Sequence, residues 1–343
     1  MKALILCGGK GVRLFPLSKE NFPKQFLKIG GDLSLFQRTL RRTLRYLKLD
    51  DVFIITGKRY EDRIKSDIKE ILGEEGLKTL SENLVLEPAG RNTFPAILLG
   101  VSYILSKKKV QKGETLLVLP SDHLIEPEEK FFETLGYTEK LVSENFIVTF
   151  GVKPYYPETR YGYIKVGEKV SEHAFKVEAF VEKPGREKAE SYVKSGNYYW
   201  NSGMFAFSVD TLFGEVEKIT PGVYEIVKEG NYKRVLANFR NLPATSIDYA
   251  IMEKTDKAVV IPLGVRWSDI GNWEGIYEML EKDGDENIIV GDALCKDVFR
   301  SLIWGGKRSI IVIGVEDLIV VDGEDALLIA KKGKSGEIKE LID

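Results

Sequence analysis

Residues 2–13 read KALILCGGKGVR, a short apolar run that ends in a glycine-rich loop. Because the run lacks the alternation of a half-exposed strand, it predicts a fully buried strand. Ligands of open α/β sheets bind at the carboxyl ends of strands, so the loop predicts a binding site. Leu14 occupies the sixth position of a dinucleotide fingerprint, and Arg13-Leu14 replaces the Gly-Lys of a Walker loop. The sequence therefore disfavours hydride transfer and P-loop hydrolysis.

The same kind of apolar run recurs along the first half of the chain. Helix-length stretches with apolar residues at three- and four-residue spacing separate these runs. Strand followed by helix, four times over, predicts right-handed crossovers and a mostly parallel sheet. The predicted strands are 2–7, 52–56, 84–86, 115–119 and 146–150, and the predicted helices are 35–46, 60–72, 93–105 and 127–143.

The length of 343 residues suggests about two domains. We predict an α/β catalytic domain over residues 1–282, with a Rossmann-like mixed, mostly parallel sheet flanked by helices. The charged stretch 283–287 is typical of a linker, and the residues that follow it are rich in β-formers. We predict a small all-β domain over residues 283–343. A weak six-residue periodicity there favours a short left-handed β-helix.

Composition narrows the class of protein. The chain has 50 Lys plus Arg, 52 Asp plus Glu and 43% hydrophobic residues, so it is expected to fold and to lack the basic footprint of a nucleic-acid binder. Cys7 and Cys295 have no paired spacing, which disfavours disulfides and zinc sites. No stretch is typical of a signal peptide or a membrane span, so we expect no membrane partner and a cytoplasmic location.

Two cations and two acids are candidates for phosphate chemistry. Arg13 and Lys24 follow the first strand, where their charges can face phosphates. Asp122 comes directly after the fourth strand, and Asp269 is a second acid for Mg²⁺, which takes one or two carboxylates and substrate phosphate. Taken alone, each Asp is equally well explained as a turn or helix cap.

Polar residues at later strand ends are candidates for sugar binding. The side chains of Glu182 and Asn201 can exchange hydrogen bonds with hydroxyls, and Lys183 can hold a phosphate. An ordinary strand-end turn explains each of them at least as well from spacing alone. Asp248 is more typical of a helix-start charge favoured by the helix dipole than of a catalyst.

Taken together, these segments resemble the sugar-nucleotide pyrophosphorylases, and most closely the mannose-1-phosphate guanylyltransferases. Any single motif is weak evidence, but their common order along the chain is specific. The matching stretches are LCGGKGVRLFPLS (6–18), PKQF (23–26), EPAGRNTFPAI (87–97), LPSDH (119–123), PETRYGYI (157–164), FVEKP (180–184), WNSGMF (200–205), SIDYAIMEK (246–254), WSDIGNW (267–273) and VEDLIVVDGEDALL (315–328).

The resemblance implies a nucleotide-diphospho-sugar transferase fold and the reaction of GTP with mannose 1-phosphate to give GDP-mannose and diphosphate. It also implies Mg²⁺ and a homodimer that involves the β-rich tail. A sugar-phosphate oxygen would attack the α-phosphorus in line, so no protein nucleophile is needed. The implied roles are nucleotide binding for Leu6, Gly8, Gly9, Gly11, Arg13, Glu87, Gly90 and Asn92, catalysis for Arg13 and Lys24, metal binding for Asp122 and Asp269, and sugar-phosphate binding for Gly162, Glu182, Lys183 and Asn201.

Arg160 departs from the family pattern, because the family usually has glycine at this position. If the position requires a positive φ, the arginine would be strained by about 1–3 kcal/mol. The chain also ends at Asp343, so we do not expect the isomerase activity of bifunctional relatives.

Two alternatives stay open. One is the same transfer with another hexose 1-phosphate or nucleotide, since spacing does not reveal hydroxyl stereochemistry. The other is a non-catalytic sugar-nucleotide sensor. The joint presence of Arg13, Lys24, Asp122 and Asp269 weighs against it, because a sensor does not need leaving-group cations and metal carboxylates.

The choice of base gives a first prediction. The guanine edge presents N1–H and an exocyclic amino group, two adjacent donors that one carboxylate can accept together. Glu87 ends the third strand, whereas related thymidylyl enzymes have a neutral amide near this position. We expect Glu87→Gln to weaken binding of GTP more than binding of UTP or dTTP, as measured by competition. Equal losses for all three nucleotides would contradict the assignment.

Overall fold

The computed structural model describes residues 1–9, 11–107, 110–111 and 113–342, so Lys10 of the glycine-rich loop lies outside the described residues. The chain forms two compact units, each built from several segments. The predicted domain boundary between residues 282 and 283 stays a prediction. The first unit contains Met1–Gly8, Thr39–Ser121 and Ile125–Arg266, and the second contains Gly9–Arg38, Asp122–Leu124 and Trp267–Asp343.

The strands follow the predicted pattern through the first half of the chain and continue to its end. In order they are β1 Lys2–Cys7, β2 Val52–Gly57, β3 Leu84–Glu87, β4 Thr115–Pro120, β5 Leu124–Glu126, β6 Ile147–Val152, β7 Tyr163–Ser171, β8 Ala174–Val181, β9 Tyr198–Ser208, β10 Ala258–Leu263, β11 Arg266–Ser268, β12 Ile288–Val290, β13 Ala293–Phe299, β14 Leu302–Trp304, β15 Ile310–Glu316, β16 Leu318–Asp322 and β17 Leu327–Lys331.

The described part of the chain has eleven α-helices, ten of them between these strands and one after the last strand. They are α1 Leu35–Leu44, α2 Glu61–Glu82, α3 Thr93–Ser106, α4 Glu128–Glu133, α5 Leu135–Ser143, α6 Arg186–Ser195, α7 Val209–Ile219, α8 Pro221–Val227, α9 Tyr232–Asn238, α10 Trp273–Met279 and α11 Lys339–Ile342.

Two helix predictions need correction. The helix predicted to end at residue 72 continues to Glu82 through a kink at Gly73, whose φ of 69° only glycine adopts readily. The helix predicted over 127–143 is two helices, α4 and α5, which meet at Thr134. In both places the apolar spacing continues across the break, so the pattern alone does not locate it.

A nine-stranded sheet forms the centre of the first unit, in the order β3-β2-β1-β4-β9-β6-β10-β8-β7. Strands β1, β2, β3 and β4 pair in parallel, and so do β6 and β10. Strand β9 is antiparallel to both β4 and β6. The predicted fold class, a mixed and mostly parallel sheet flanked by helices, is confirmed.

Helix α3 is the most buried helix against this sheet. Its residues Phe94–Val101 are all buried, because the segment is apolar on every side. Gly100 allows the helix to approach β1 closely: a Cβ on Gly100 would lie 2.6 Å from Leu4 Cδ2. Leu4 is itself in the core, with 1% of its surface exposed.

The second unit joins the β-rich tail to an N-terminal segment. In the tail, β12, β14 and β16 pair in parallel, β17 pairs antiparallel with β16, and β13 pairs in parallel with β15. The predicted all-β tail is confirmed. One hydrophobic core joins its strands to α10 and to residues 14–35; it includes Leu14, Leu27, Ile29, Trp273, Ile276, Ile288, Leu302, Ile319 and Val321. No helix among the described residues is long and apolar enough to cross a lipid bilayer.

The close contact at Gly100 gives a second prediction. Although alanine is the better helix former, Gly100→Ala is expected to lower the free energy of unfolding by about 1–3 kcal/mol, because the added methyl overlaps Leu4. Gly214 in α7 is the matched control, since nothing lies within 4 Å of its added Cβ. Gly214→Ala should raise stability by about 0.5–1 kcal/mol. Urea denaturation measures both, and the same sign for both variants would contradict the packing argument.

Candidate active site

The carboxyl ends of β1 and β3 in the first unit carry Gly8 and Glu87. A Cβ on Gly8 would lie 3.4 Å from Glu87 Oε1, so the carboxylate stands directly beside the start of the glycine-rich loop. Glu87 is only 9% exposed, and this burial raises its pKa to about 7. Leu6, two residues before the loop, accepts a hydrogen bond at its carbonyl from Ser121 N at 3.1 Å. These contacts place Leu6, Gly8 and Glu87 at the end of the sheet where the parallel strands have their carboxyl ends.

Gly90 and Asn92 lie in the turn that leads from β3 into α3. Asn92 has φ 71° and ψ −176°, a conformation that is strained for a residue other than glycine. Its side chain caps α3 by accepting a hydrogen bond from Thr93 N at 2.9 Å. The space around a Cβ on Gly90 is open. Thr93 N is taken by this cap, Phe94 N donates to the carbonyl of Thr245 at 3.2 Å, and Pro95 has no N–H. The N-terminus of α3 therefore offers an anion its positive helix-dipole end rather than unused backbone donors.

All four residues predicted to bind the sugar phosphate lie together in the first unit. A Cβ on Gly162 would lie 2.5 Å from Glu182 Oε2 and 3.3 Å from Asn201 Cβ, so only glycine leaves room at this position. Asn201 N donates to the carbonyl of Gly162 at 2.8 Å. The ammonium of Lys183 hydrogen-bonds Glu182 Oε1. Burial, followed by the nearby charge of Asp248, raises the pKa of Glu182.

Asp248 is the residue whose environment the sequence did not reveal. It does begin a helical turn, the π-helix Asp248–Met252, as a helix-start charge would. Its Oδ1 also accepts a hydrogen bond from Asn201 Nδ2 at 2.8 Å, across 47 residues of sequence. Single π-helical turns are frequent at functional sites, but neither the turn nor the long-range contact has a signature in the spacing of apolar residues.

In the second unit, the predicted cation Lys24 lies beside both predicted acids, Asp122 and Asp269. Lys24 Nζ lies 3.1 Å from Asp122 Oδ2 and donates to the carbonyl of Asp269 at 2.5 Å. A Cβ on Gly11, which has a φ of 54°, would lie 2.7 Å from Lys24 N. The glycine-rich loop can therefore pass Lys24 only without a side chain at Gly11. Lys24, Asp122, Asp269 and Gly11 thus form one local cluster.

The conformation of the loop around Asp269 explains why its carbonyl faces Lys24. Ile270 is fully buried and has a φ of 49°, a rare conformation for a β-branched residue. Ser268 Oγ accepts a hydrogen bond from Ile270 N at 3.0 Å, and Asp269 Oδ1 accepts one from Gly271 N at 2.8 Å. These contacts, with the buried Ile270 side chain, hold the carbonyl oxygen and the Oδ1 atom of Asp269 in place.

His123 lies next to Asp122. Trp267 Nε1 donates to His123 Nδ1 at 3.3 Å, which leaves the ring proton on Nε2. This nitrogen lies 3.7 Å from Asp122 Oδ1. His123 is therefore a close neighbour of the Asp122 carboxylate, at a distance longer than a hydrogen bond.

The donor set of Asp122 and Asp269 fits Mg²⁺. No group of three or more His, Cys, Asp or Glu side chains among the described residues is arranged to hold a metal ion. Mg²⁺ does not require such a cage, because it keeps water and substrate phosphate in most of its positions. A carboxylate oxygen of Asp122 and the backbone carbonyl oxygen of Asp269 already contact one positive charge, the ammonium of Lys24.

The remaining predicted residues lie at less enclosed positions. Arg13 is exposed in the short 3₁₀ turn Val12–Leu14, and Gly9 has a φ of 93°. Arg160 is absent from the described residues that have a positive φ, so the strain considered for it does not arise. Instead, its backbone N and Nε both donate to Glu158 Oε1 at 2.9 Å.

The pKa of Glu87 gives a third prediction. A carboxyl group with a pKa of about 7 when folded and about 4.5 when unfolded binds more protons in the folded state, so its stabilising effect is lost as the pH rises between these values. Replacing it by glutamine removes the titration. We expect the unfolding free energy of Glu87→Gln, relative to wild type, to be higher at pH 8 than at pH 5 by about 2–3 kcal/mol.

Urea denaturation at the two pH values measures this difference. The exposed Glu144 is the matched control: Glu144→Gln should show no comparable change. A relative stability of Glu87→Gln that does not change with pH would rule out a buried, titrating Glu87.

Comparisons with known proteins identify the family. The family model for nucleotidyl transferases matches residues 2–286, and the model for the MannoseP isomerase/GMP-like beta-helix domain matches residues 291–343. Mannose-1-phosphate guanylyltransferase 2 of Escherichia coli O157:H7 is 37% identical, over 99% of this chain and 72% of its own length. Mannose-1-phosphate guanylyltransferase RfbM of Salmonella typhimurium is also 37% identical, over 99% of this chain and 71% of its own.

A solved structure supports the same relationship. The crystal structure of a mannose-1-phosphate geranyltransferase from Thermus thermophilus superposes with a TM-score of 0.88 and 31% identity, and it covers 99% of this chain and 98% of its own. Sequence and structure thus match these proteins along the whole chain. The chain therefore belongs to the nucleotidyl transferase family, in its mannose-1-phosphate guanylyltransferase branch.

Proposed function

We propose that this enzyme transfers the guanylyl group of GTP to mannose 1-phosphate, with release of diphosphate. The observation that carries the proposal is the cluster of Lys24, Asp122 and Asp269, in which one ammonium meets the carboxylate of Asp122 and the backbone carbonyl of Asp269, from distant segments of the chain. Transfer to a phosphate needs this combination, because negative charge develops on the oxygens around the α-phosphorus. The names of the relatives support the choice of GTP and mannose 1-phosphate.

The reaction requires no covalent enzyme intermediate. A phosphate oxygen of mannose 1-phosphate forms the new bond to the α-phosphorus, and the bond to the bridging oxygen of the β-phosphate breaks, so diphosphate leaves with the electron pair. We assign Arg13 to the triphosphate and the leaving diphosphate, and Lys24 to both substrates. Mg²⁺ held by Asp122 and Asp269 would supply a further positive charge to the phosphate oxygens.

The remaining predicted residues would recognise the two organic parts of the substrates. We assign the guanine edge to Glu87, whose carboxylate must be ionised to accept both donors. Gly8, Gly9, Gly11, Gly90 and Asn92 would line the nucleotide with backbone groups, and Leu6 would contact it from β1. Gly162, Glu182 and Asn201 would contact the hexose, and Lys183 would hold its phosphate as a point charge.

The test of this function is diphosphate release over a grid of nucleoside triphosphates and hexose 1-phosphates, with and without Mg²⁺. We expect the highest rate with GTP, mannose 1-phosphate and Mg²⁺. Asp122→Asn should lower kcat by about 100-fold or more, because one charged metal ligand and the partner of Lys24 are lost.

Asp256→Asn is the matched control, since Asp256 is exposed and pairs on the surface with Lys218 at 3.2 Å. It should leave the rate unchanged. A preference for another base or sugar would favour the same chemistry on other substrates. Binding without release for every pair would favour the sensor instead.

The cytoplasmic location stays a prediction.

We also propose that the protein forms a homodimer through the tail. Leu294, Ile311 and Ile313 on β13 and β15 are 64%, 68% and 63% exposed, an unusually apolar surface for an outer sheet face. Leu294 and Ile311 are direct partners in the strand register. We expect a dimeric mass by light scattering, and we expect Ile311→Lys to shift it toward monomer. A monomeric wild type would exclude the dimer.

A further inference from the structure

Asp248 has no role in the assignments above, yet its carboxylate lies with Glu182, Lys183 and Asn201. We call these four residues the sugar-side group. Asn201 donates to it at 2.8 Å, and Ser246 is a second hydrogen-bond partner. The charges of Asp248, Glu182 and Lys183 act on one another. A residue that caps a helix for structural reasons alone has no need of these long-range neighbours.

The amide of Asn201 has its orientation set by other contacts. Its Oδ1 accepts hydrogen bonds from Thr149 Oγ1 at 3.1 Å and from Gly203 N at 3.2 Å, so Nδ2 is the atom that faces Asp248. An amide nitrogen has two hydrogens, and Asp248 takes one of them. The other can therefore be donated to a ligand beside the Asp248 carboxylate.

The group has more acceptors than donors. Glu182 and Asp248 offer four carboxylate oxygens, whereas Lys183 is the ammonium that interacts with both of them. Burial raises the pKa of both carboxyl groups, because it removes water from their ionised forms. A ligand rich in hydroxyl donors, such as a hexose, would correct this shortage.

Asp248 is also held rigidly before any ligand arrives. Ile247 N donates to Thr93 Oγ1 at 3.0 Å, and Phe94 N donates to the carbonyl of Thr245 at 3.2 Å. These bonds attach the segment before Asp248 to the first turn of α3. A carboxylate fixed in this way can distinguish hydroxyl positions, because it does not reorganise to suit a wrong one.

We propose that Asp248 is a specificity-determining residue that accepts a hydrogen bond from one hydroxyl of the hexose, next to the contacts made by Glu182 and Asn201. The inference rests on the proposed function, since it takes the sugar phosphate to bind at Glu182, Lys183 and Asn201.

A purely structural role makes a different prediction. Asp248→Asn keeps an oxygen that can accept from Asn201 Nδ2, so the internal bond survives while the charge is removed. If Asp248 served only to position Asn201, this variant would bind the sugar phosphate like the wild type. If Asp248 reads a hydroxyl, the variant binds more weakly, because a neutral amide oxygen is the poorer acceptor.

The experiment is a cycle between this variant and the monodeoxy analogues of mannose 1-phosphate, with GTP and Mg²⁺. We expect Asp248→Asn to raise the KM for mannose 1-phosphate about tenfold and to leave the KM for GTP unchanged. For one deoxy analogue, the one that lacks the hydroxyl read by Asp248, variant and wild type should have equal kcat/KM. Asp256→Asn is again the matched control and should change neither KM.

Two results would overturn the proposal: an unchanged KM for mannose 1-phosphate, or an equal loss of kcat/KM for mannose 1-phosphate and every deoxy analogue. Failure of the proposed function is a separate result, visible as a wild type that does not use GTP with mannose 1-phosphate. The cycle is then measured on the hexose 1-phosphate that the wild type does use, and the same two results decide it. Circular dichroism and binding of GTP confirm that the variant is folded.

Discussion

The ammonium of Lys24 is the point at which three distant parts of the second unit meet. It contacts the carboxylate of Asp122 and the carbonyl of Asp269, and the loop that carries Gly11 passes directly beside it. The side chains of Lys24 and Asp122 are each only 16% exposed, so neither charge is fully hydrated and each requires the other. A cation and an acid that stabilise each other in this way are also those that phosphoryl chemistry needs.

The β-rich tail supports this cluster through the core it shares with the N-terminal segment. Trp273, at the start of α10, donates from Nε1 to the carbonyl of Phe15 at 3.0 Å and packs against Trp304 of β14. Glu274, the next residue, accepts hydrogen bonds from Gly333 N at 2.8 Å and Ser335 N at 3.1 Å. The tail is therefore part of the packing that holds the loop after Arg13 and the helix after Asp269.

The fold was largely predictable because its signals are local. The uninterrupted apolar run of β1 and the all-round apolar helix α3 can each be identified within a window of about a dozen residues. The kink at Gly73 and the division between α4 and α5 were missed, because the apolar spacing does not change there. The strain considered for Arg160 was also misplaced, since the loop gives it an ordinary φ and pairs it with Glu158.

In the candidate site, too, features with local sequence signals were predictable and features that depend on long-range contacts were not. By itself the sequence determined which residue types follow the strands, and with them the class of chemistry, because glycines, cations and acids at strand ends have local signatures. Only the tertiary structure decided that Asp248 lies beside Asn201 and that the carbonyl of Asp269 faces Lys24. The two residues of the first contact are 47 positions apart in the sequence, and those of the second are 245 positions apart. These contacts depend on strand order and loop conformation, which no local pattern of side chains encodes.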